Sequence, residues 1–183
     1  MTETEKAIAE IWALFRETDK KMQETDRKIQ ELSKNVDRVT KEQESLKAKW
    51  GRFVEYILAP GIPEAFQERG IPIHKISQRV KAKLPGQGEL EVDILGINEE
   101  YVLLVETKST LGNEDVNTCL ENLSKFKSFF PEYANRKLIG AVAGIEITGN
   151  ADRYAYQQGL FVLGQCKDNV VIQNDEKFRP KIW

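Results

Sequence analysis

Glycine and proline are distributed very unevenly along this chain of 183 residues. Residues 1–50 contain neither, whereas residues 51–183 contain all twelve glycines and all six prolines. Proline breaks helices and glycine weakens them, while turns and loops depend on both. The first fifty residues therefore lack the residues that usually interrupt a helix, and the composition changes at Gly51.

A heptad repeat organises the apolar residues of the first segment. In a parallel pair, g and e positions would join Lys21 to Asp26 and Glu42 to Lys47, which favours self-association. The alternative is a single charged helix packed on its own domain. Eleven of the fourteen residues at positions a and d are apolar, so we predict residues 1–50 as a coiled-coil oligomerisation helix. Position a takes Ile8, Phe15, Met22, Ile29, Val36, Gln43 and Trp50, and position d takes Ile11, Thr18, Thr25, Leu32, Val39, Leu46 and Phe53.

Residues 51–183 alternate between helical and strand patterns. The predicted order is α-β-β-β-α-β-α-β-β, a mixed α/β domain. The first helix covers 52–68 and breaks at "APGIP" (59–63), and three strands follow, at 71–85, 89–97 and 101–108. Asn113 is expected to cap the next helix, which Pro131 ends. A buried strand "KLIGAVAGI", a short helix between Asn150 and Gly159, and the strands "LFVLG" and "NVVIQN" complete the domain.

The second and third strands form a predicted hairpin with charged residues at one end. A loop over residues 98–101 sets the antiparallel register of the two strands. In that register Asp93 faces Glu106 and Glu91 faces Lys108. The opposite face would carry Val92, Ile94, Leu103, Val105 and Thr107, and is expected to be core. The charged face is apolar near the turn and charged only at its far end, unlike an evenly solvated sheet.

Adjacent carboxylates repel each other unless a cation lies between them. A hard divalent ion such as Mg²⁺ is commonly held by one or two carboxylates with water and substrate phosphate. Asp93 and Glu106 are therefore candidate metal ligands, and Lys108 can contact a phosphate or orient an attacking water. The alternative is a set of ordinary cross-strand ion pairs, such as Glu91 with Lys108. His74 is the single histidine, which argues against a histidine-based zinc site.

Asp93 followed by Glu106-Thr107-Lys108 resembles the PD-(D/E)XK nuclease superfamily, with Val92 in place of the proline. The predicted αβββαβ order over 52–164 is similar to its restriction-endonuclease-like fold. The resemblance implies a metal-dependent endonuclease that uses Mg²⁺ or Mn²⁺ and leaves a 5′-phosphate. It implies Asp93, Glu106 and the Thr107 carbonyl as metal ligands, Glu55 in "GRFVEYIL" as a supporting acid acting through water, and Lys108 as a catalytic residue. The heptad helix with this domain also resembles uncharacterised bacterial proteins, frequent in cyanobacteria.

Nucleic acid, DNA rather than RNA, is the expected partner. The segment 69–88 has several basic residues and no acid, and Lys75, Arg79, Lys81 and Lys83 are candidate phosphate contacts. The alternative for this segment is a solvated strand. The competing function for the protein is a catalytically inactive nuclease-fold scaffold, or a nucleic-acid-binding and oligomerisation module. The net charge of −2 makes any basic surface local. Cys119 and Cys166 form no metal motif and no apolar run is long enough for a membrane, so a cytoplasmic protein is expected.

Overall fold

The computed structural model describes residues 2–166 and 169–183. The chain divides into two compact units, one ending at Ala48 and the other spanning Lys49–Trp183. The helices are α1 (Glu3–Leu58), α2 (Ile62–Glu68), α3 (Asn113–Phe129) and α4 (Ala151–Gln157). The strands are β1 (Lys75–Leu84), β2 (Gly88–Ile97), β3 (Tyr101–Leu111), β4 (Lys137–Ile147), β5 (Phe161–Cys166) and β6 (Asn169–Ile172). The predicted element order and the α/β class are confirmed.

The first unit is helical from Glu3 onward, as the heptad repeat predicts. Helix α1 continues through Gly51, where two separate helices were expected, and ends at Leu58. Its heptad residues from Ile8 to Leu46 that are large and apolar are between 50% and 65% exposed in the isolated chain. Thr18 and Thr25, two of the three polar residues at these positions, donate their hydroxyls to the carbonyls of Leu14 and Lys21 at 2.9 and 2.8 Å.

The break predicted at "APGIP" is present. Residues Ala59–Gly61 form a single 3-10 turn, and α2 begins at Ile62 with proline in its first turn. Proline fits there because the first helical N–H groups have no intrahelical partner. Leu58, Ile62 and Phe66 are fully buried against one face of the sheet. The break therefore lets the end of α1 and all of α2 cover the same surface.

The second unit is built on one six-stranded sheet in the order β1-β2-β3-β4-β5-β6. Strands β1, β2 and β3 are antiparallel neighbours, β3, β4 and β5 are parallel, and β6 is antiparallel to β5. One face of the sheet, the α3 face, packs Leu104 and Val142 against α3 and α4. The other, the α2 face, packs Leu103 and Ile139 against the end of α1 and against α2. Parallel strands buried on both faces explain why "VLLV" and "LIGAVA" are continuous apolar runs.

The alternation of faces is interrupted on β2, and one prediction fails there. Leu95 lies on the α3 face and Ile94 on the α2 face, as alternation requires, but Val92 and Leu90 pack on the α3 face with Leu95. Val92 was expected beside Ile94, so that expectation is wrong. On β1, Ile76 packs on the α2 face, whereas Val80 packs on the α3 face. Both strands thus change sides between the same register pairs, Gln78 with Ile94 and Val80 with Val92.

The start of α3 also differs from the prediction. The cap position is held by Gly112, whose N–H donates to the Asp115 carboxylate at 2.8 Å. Asn113 is already helical, and its side chain donates to the Asn150 side chain at 3.3 Å. The Asp115 carboxylate, at the third helical position, accepts the N–H of the cap residue as the acid of a capping box does, so Asn113 is not needed as the cap. Gly159 has φ +80 just past α4, as expected of a helix end.

No helix within the part of the chain that the structure describes is long and apolar enough to cross a membrane.

Replacing Gly144 tests how closely β3 and β4 pack beside the charged end of the hairpin, since Gly144 is paired with Lys108. A Cβ there would lie 2.9 Å from both the Glu146 carbonyl oxygen and the Leu111 Cβ. We expect Gly144→Ala to lower the free energy of unfolding by about 1–3 kcal/mol in urea, because backbone atoms must shift. Gly51→Ala in α1 is the control: no atom lies within 4 Å, so it should stabilise slightly. A Gly144→Ala variant as stable as wild type would contradict the strand packing.

Candidate active site

The predicted register of the β2–β3 hairpin is confirmed next to the turn, but the ladder ends where the charges begin, so the predicted strand pairs of Asp93 with Glu106 and of Glu91 with Lys108 do not form. Ile97 pairs with Val102, Leu95 with Leu104, and the last pair is Ile94 with Val105. Beyond this point β2 stays paired with β1 as far as Gly88, while β3 stays paired with β4 as far as Leu111. The sheet therefore forks between β2 and β3, and we call this opening the strand fork. Asp93 is the first residue of β2 past it.

The Asp93 side chain bridges the strand fork. Its Oδ2 accepts the Thr107 backbone N–H at 2.8 Å and the Thr107 hydroxyl at 3.1 Å. Thr107 is only 6% exposed. A buried N–H needs a hydrogen-bond partner, so the carboxylate takes the place of a backbone acceptor where the ladder stops. These two bonds hold Asp93 in position beside the "ETK" triplet.

Glu106 and Lys108 form an ion pair at the same place. Lys108 Nζ lies 2.6 Å from Glu106 Oε1, and Asn122 of α3 donates to Glu106 Oε2 at 3.4 Å. Glu106 is 5% exposed. Burial and then the nearby Asp93 raise the pKa of Glu106 even though Lys108 lowers it. Burial lowers the pKa of Lys108, but Glu106 and Asp93 outweigh it and the net shift is upward. Burial and the closeness of Asp93 thus weaken the charged form of Glu106, whereas the two acids favour the charged form of Lys108.

Glu55 belongs to the same electrostatic cluster. It lies on the last turns of α1, is 7% exposed, and its backbone carbonyl accepts the Gln78 side chain at 3.3 Å. Burial and then Asp93 raise the pKa of Glu55, while Arg79 and Lys108 lower it. Asp93 and Lys108 thus lie close enough to act electrostatically on both Glu55 and Glu106.

Glu91 has partners other than the one expected. It pairs with Arg79 at 3.0 Å and with Lys81 at 2.8 Å, both on β1. The predicted alternative, an ion pair between Glu91 and Lys108, is therefore wrong. The pair does not form because β2 changes faces at Asp93. Glu91 therefore does not lie on the same face of the sheet as Lys108.

Acidic residues of β2 neutralise part of the basic surface expected on β1. Lys81 also lies 3.4 Å from Glu89, and Lys83 is paired in register with Glu89. Arg69 donates to the carbonyls of Asn174 and Asp175 and so supports the fold. Lys75 and Lys83 are exposed on β1. A hairpin register set by the turn at "PGQ" would have predicted from the sequence that Glu89 and Glu91 lie opposite Lys83 and Lys81.

Arg79 has an unusual backbone. Its φ is +54, and among the described residues it is the only non-glycine residue with positive φ. This conformation costs an L-residue on the order of 1–3 kcal/mol. A surface ion pair such as Arg79 with Glu91 stabilises by about 0–1 kcal/mol, so it does not offset that cost. Arg79 lies where β1 changes faces, across from Asp93, and neither feature could be read from the sequence.

The donor set fits a hard divalent cation. Asp93, Glu106 and the Thr107 carbonyl offer oxygen atoms, and each carboxylate oxygen can accept more than one partner. Within residues 2–166 and 169–183 there is no group of three His, Cys, Asp or Glu arranged to hold a metal ion. Magnesium needs fewer, because it keeps several waters. Asn122 and the buried Cys119, which donates to the Ala141 carbonyl at 3.6 Å, are neighbours of the site that sequence reasoning missed.

Two cavities lie away from this cluster. One of about 840 Å³ lies beside α2 and the C-terminal residues, and one of about 420 Å³ lies beside α4. None of the predicted site residues lines either cavity. The candidate site at the strand fork is thus separate from both cavities.

The chain belongs to the family described as "Domain of unknown function (DUF8196)", whose match covers residues 64–172, more than half of the chain. Asp93, Glu106 and Lys108 lie inside the matched region and Glu55 lies before it. No curated protein matches the chain.

Three solved structures are similar in part. A repair endonuclease from Pyrococcus abyssi is 19% identical with a TM-score of 0.36, covering 52% of this chain and 40% of that one. The protein of unknown function AF1548 is 12% identical with a TM-score of 0.40, covering 60% and 58%. The EndoMS–dsDNA2 complex is 19% identical with a TM-score of 0.35, covering 60% and 44%. The chain thus spans less than two thirds of the length of each.

Replacing Asp93 separates its structural from its chemical role. Asparagine keeps an oxygen that can accept both Thr107 bonds, whereas alanine leaves the buried Thr107 N–H unpaired. We expect Asp93→Ala to be less stable than Asp93→Asn by about 1–3 kcal/mol in urea unfolding. Both substitutions remove the same negative charge, so the difference isolates the hydrogen bonds. Equal stabilities would contradict a structural role for the carboxylate.

Proposed function

We propose that this protein is a metal-dependent endonuclease of the PD-(D/E)XK type that hydrolyses phosphodiester bonds of nucleic acid, DNA rather than RNA. The observation that supports this most is the cluster at the strand fork: Asp93 is bound to Thr107, between Glu106 and Lys108, and burial and then the charge of Asp93 raise the pKa of both Glu106 and Glu55. Buried carboxylates brought together in this way are suited to binding a divalent cation.

Each residue has a role in this proposal. Asp93, Glu106 and the Thr107 carbonyl would hold Mg²⁺ or Mn²⁺, and Glu55 would support them through water. A bound divalent ion supplies Lewis-acid stabilisation of the phosphate charge and lowers the pKa of water. Lys108, held by Glu106 at 2.6 Å, places a positive charge where charge develops on the phosphate or on the attacking water. Lys75, Arg79, Lys81 and Lys83 would contact the nucleic-acid backbone.

Cleavage of duplex, single-stranded and branched DNA, and of RNA, tests the proposal. Wild-type protein should cleave with Mg²⁺ or Mn²⁺ and stop when the metal is chelated. Asp93→Asn and Lys108→Met should each lower the rate at least about 100-fold, since each removes charge from the reacting centre. Lys125→Ala, an exposed change on α3, is the control and should cleave normally. Cleavage that survives both site substitutions would contradict the mechanism.

A catalytically inactive scaffold is the second candidate. It is favoured by the hydrogen bonds that Glu106 already accepts from Lys108 and Asn122, and by the acids that neutralise part of β1. Calorimetric titration with Mn²⁺ distinguishes the two. Heat of binding in wild-type protein that Asp93→Asn abolishes supports the nuclease, and its absence in both supports the scaffold.

We also propose that α1 self-associates as a coiled coil. Its apolar heptad residues from Ile8 to Leu46 are exposed in the isolated chain, and burying them in a second copy is favourable. The hydroxyls of Thr18 and Thr25 are satisfied within the helix, so these two polar positions do not oppose burial.

Removing residues 2–45 tests this directly. The mass from solution scattering or sedimentation should fall from a multiple of the 21.0 kDa chain to that of a single truncated chain. An unchanged number of subunits after the deletion would contradict the coiled coil. Lys28→Ala, which disturbs only an exposed pair with Glu24, should leave the mass unchanged and is the control.

A further inference from the structure

The last turns of α1 carry three exposed aromatic side chains. Trp50, Phe53 and Tyr56 follow one another at three-residue intervals and are 51%, 48% and 72% exposed. The centroids of the Trp50 and Phe53 rings lie 5.4 Å apart. These turns belong to the second unit, and their other side, with Val54 and Leu58, is fully buried against the sheet. We call the three residues the aromatic strip. A cluster of exposed apolar side chains of this kind marks an interaction surface.

Two basic residues are interleaved with the aromatic strip. Lys49 and Arg52 are exposed, and within residues 2–166 and 169–183 neither side chain takes part in an ion pair. Among residues 49–56 the one acid is Glu55, which is buried with the cluster at the strand fork. Unlike Lys81 of β1, which Glu89 and Glu91 neutralise, these two cations are therefore available to an anion.

A second copy of α1 fits this surface poorly. Trp50 and Phe53 continue heptad positions a and d, but a coiled coil also brings the flanking e and g residues to the partner helix. The e residue is Val54, which is 0% exposed because the sheet of its own chain covers it. The most exposed ring, Tyr56, lies at g and outside the a and d seam. Aromatic rings alternating with unpaired cations are instead the combination that single-stranded nucleic acid requires.

We propose that the aromatic strip binds unpaired bases of a single-stranded nucleic-acid segment, while Lys49 and Arg52 contact the phosphates between those bases. This inference rests on the proposed function and specifies its substrate as nucleic acid with a single-stranded segment. Unpaired bases present faces on which a side-chain ring can stack, whereas neighbouring base pairs cover those faces in a duplex. Arg52 precedes Glu55 by three residues and is thus its neighbour on the helix surface. A strand held on the aromatic strip would therefore lie beside the acids at the strand fork.

The test compares single-stranded with duplex DNA. Fluorescence anisotropy with a labelled single strand and a blunt duplex of equal length measures affinity, in the full chain carrying Asp93→Asn so that cleavage does not interfere. This parent should bind the single strand more tightly than the duplex. Tyr56→Leu keeps an apolar side chain but loses the ring, so it should bind the single strand about tenfold more weakly and the duplex within about twofold of the parent. Tyr56→Phe keeps the ring and should bind like the parent.

The salt dependence of single-strand binding tests the cations. Arg52→Ala should reduce the slope of log affinity against log salt by about 0.7, as expected for one lost phosphate contact on a single strand. Lys177→Ala is the charge-matched control. Lys177 is exposed beyond β6, so its loss should change neither affinity nor slope.

Three results would overturn the inference, and they differ in what else they change. Single-strand binding by Tyr56→Leu and Arg52→Ala equal to that of the parent, or an equal loss on single strand and duplex, would overturn the inference alone. A lower mass of Tyr56→Leu in sedimentation, with affinity falling in parallel, would overturn it and assign the aromatic strip to a second copy. No cleavage and no binding by wild-type protein on any of the nucleic acids would overturn the proposed function as well.

Discussion

The hydrogen bonds from Thr107 to the Asp93 carboxylate are the interaction on which the candidate site depends. The β2–β3 ladder stops at Ile94 and Val105, and a buried N–H follows immediately. A side-chain oxygen satisfies it, so two strands can separate without leaving an orphaned polar group. Separation of β2 from β3 is what makes room between them for other groups. The same carboxylate that completes the sheet is therefore also the first acid of the proposed metal site.

The two buried acids of the cluster, Glu55 and Glu106, affect folding stability differently from an acid in an ordinary ion pair. The pKa values of Glu55 and Glu106 are raised in the fold, first by burial and then by Asp93. As pH rises through the range in which the unfolded chain loses these protons, the fold keeps them longer, so folding stability falls. A salt-bridged acid with a lowered pKa would gain stability over that range. Under the proposed function, a bound cation would offset this penalty.

The sequence predicted the order of elements along the chain, the hairpin register next to the turn and the placement of Asp93 beside Glu106 and Lys108, because each follows from the local alternation of apolar residues and from loop length. It failed at Val92 and Glu91 for one reason. Alternation is a rule for an uninterrupted strand, but β2 changes faces at Asp93, beside the left-handed Arg79 of β1, so the residues of β2 before Asp93 lie on the face opposite to the one expected. No composition signal marks an arginine for that conformation. Asn122 was missed because it reaches Glu106 only through the packing of α3 on the sheet.

Under the proposed function, the small basic surface and the heptad helix together determine how strongly the protein would bind a nucleic acid. Lys81 is largely neutralised by Glu89 and Glu91, Arg69 is bound to carbonyls, and the whole chain has a net charge of −2. One domain would therefore offer few phosphate contacts, and each contact adds only a modest, salt-dependent increment to affinity. Under the proposed function, self-association through α1 would join several such surfaces on one nucleic acid, and linked weak sites bind far more tightly than single ones. An acidic protein can in this way act on a polyanion without a large basic face.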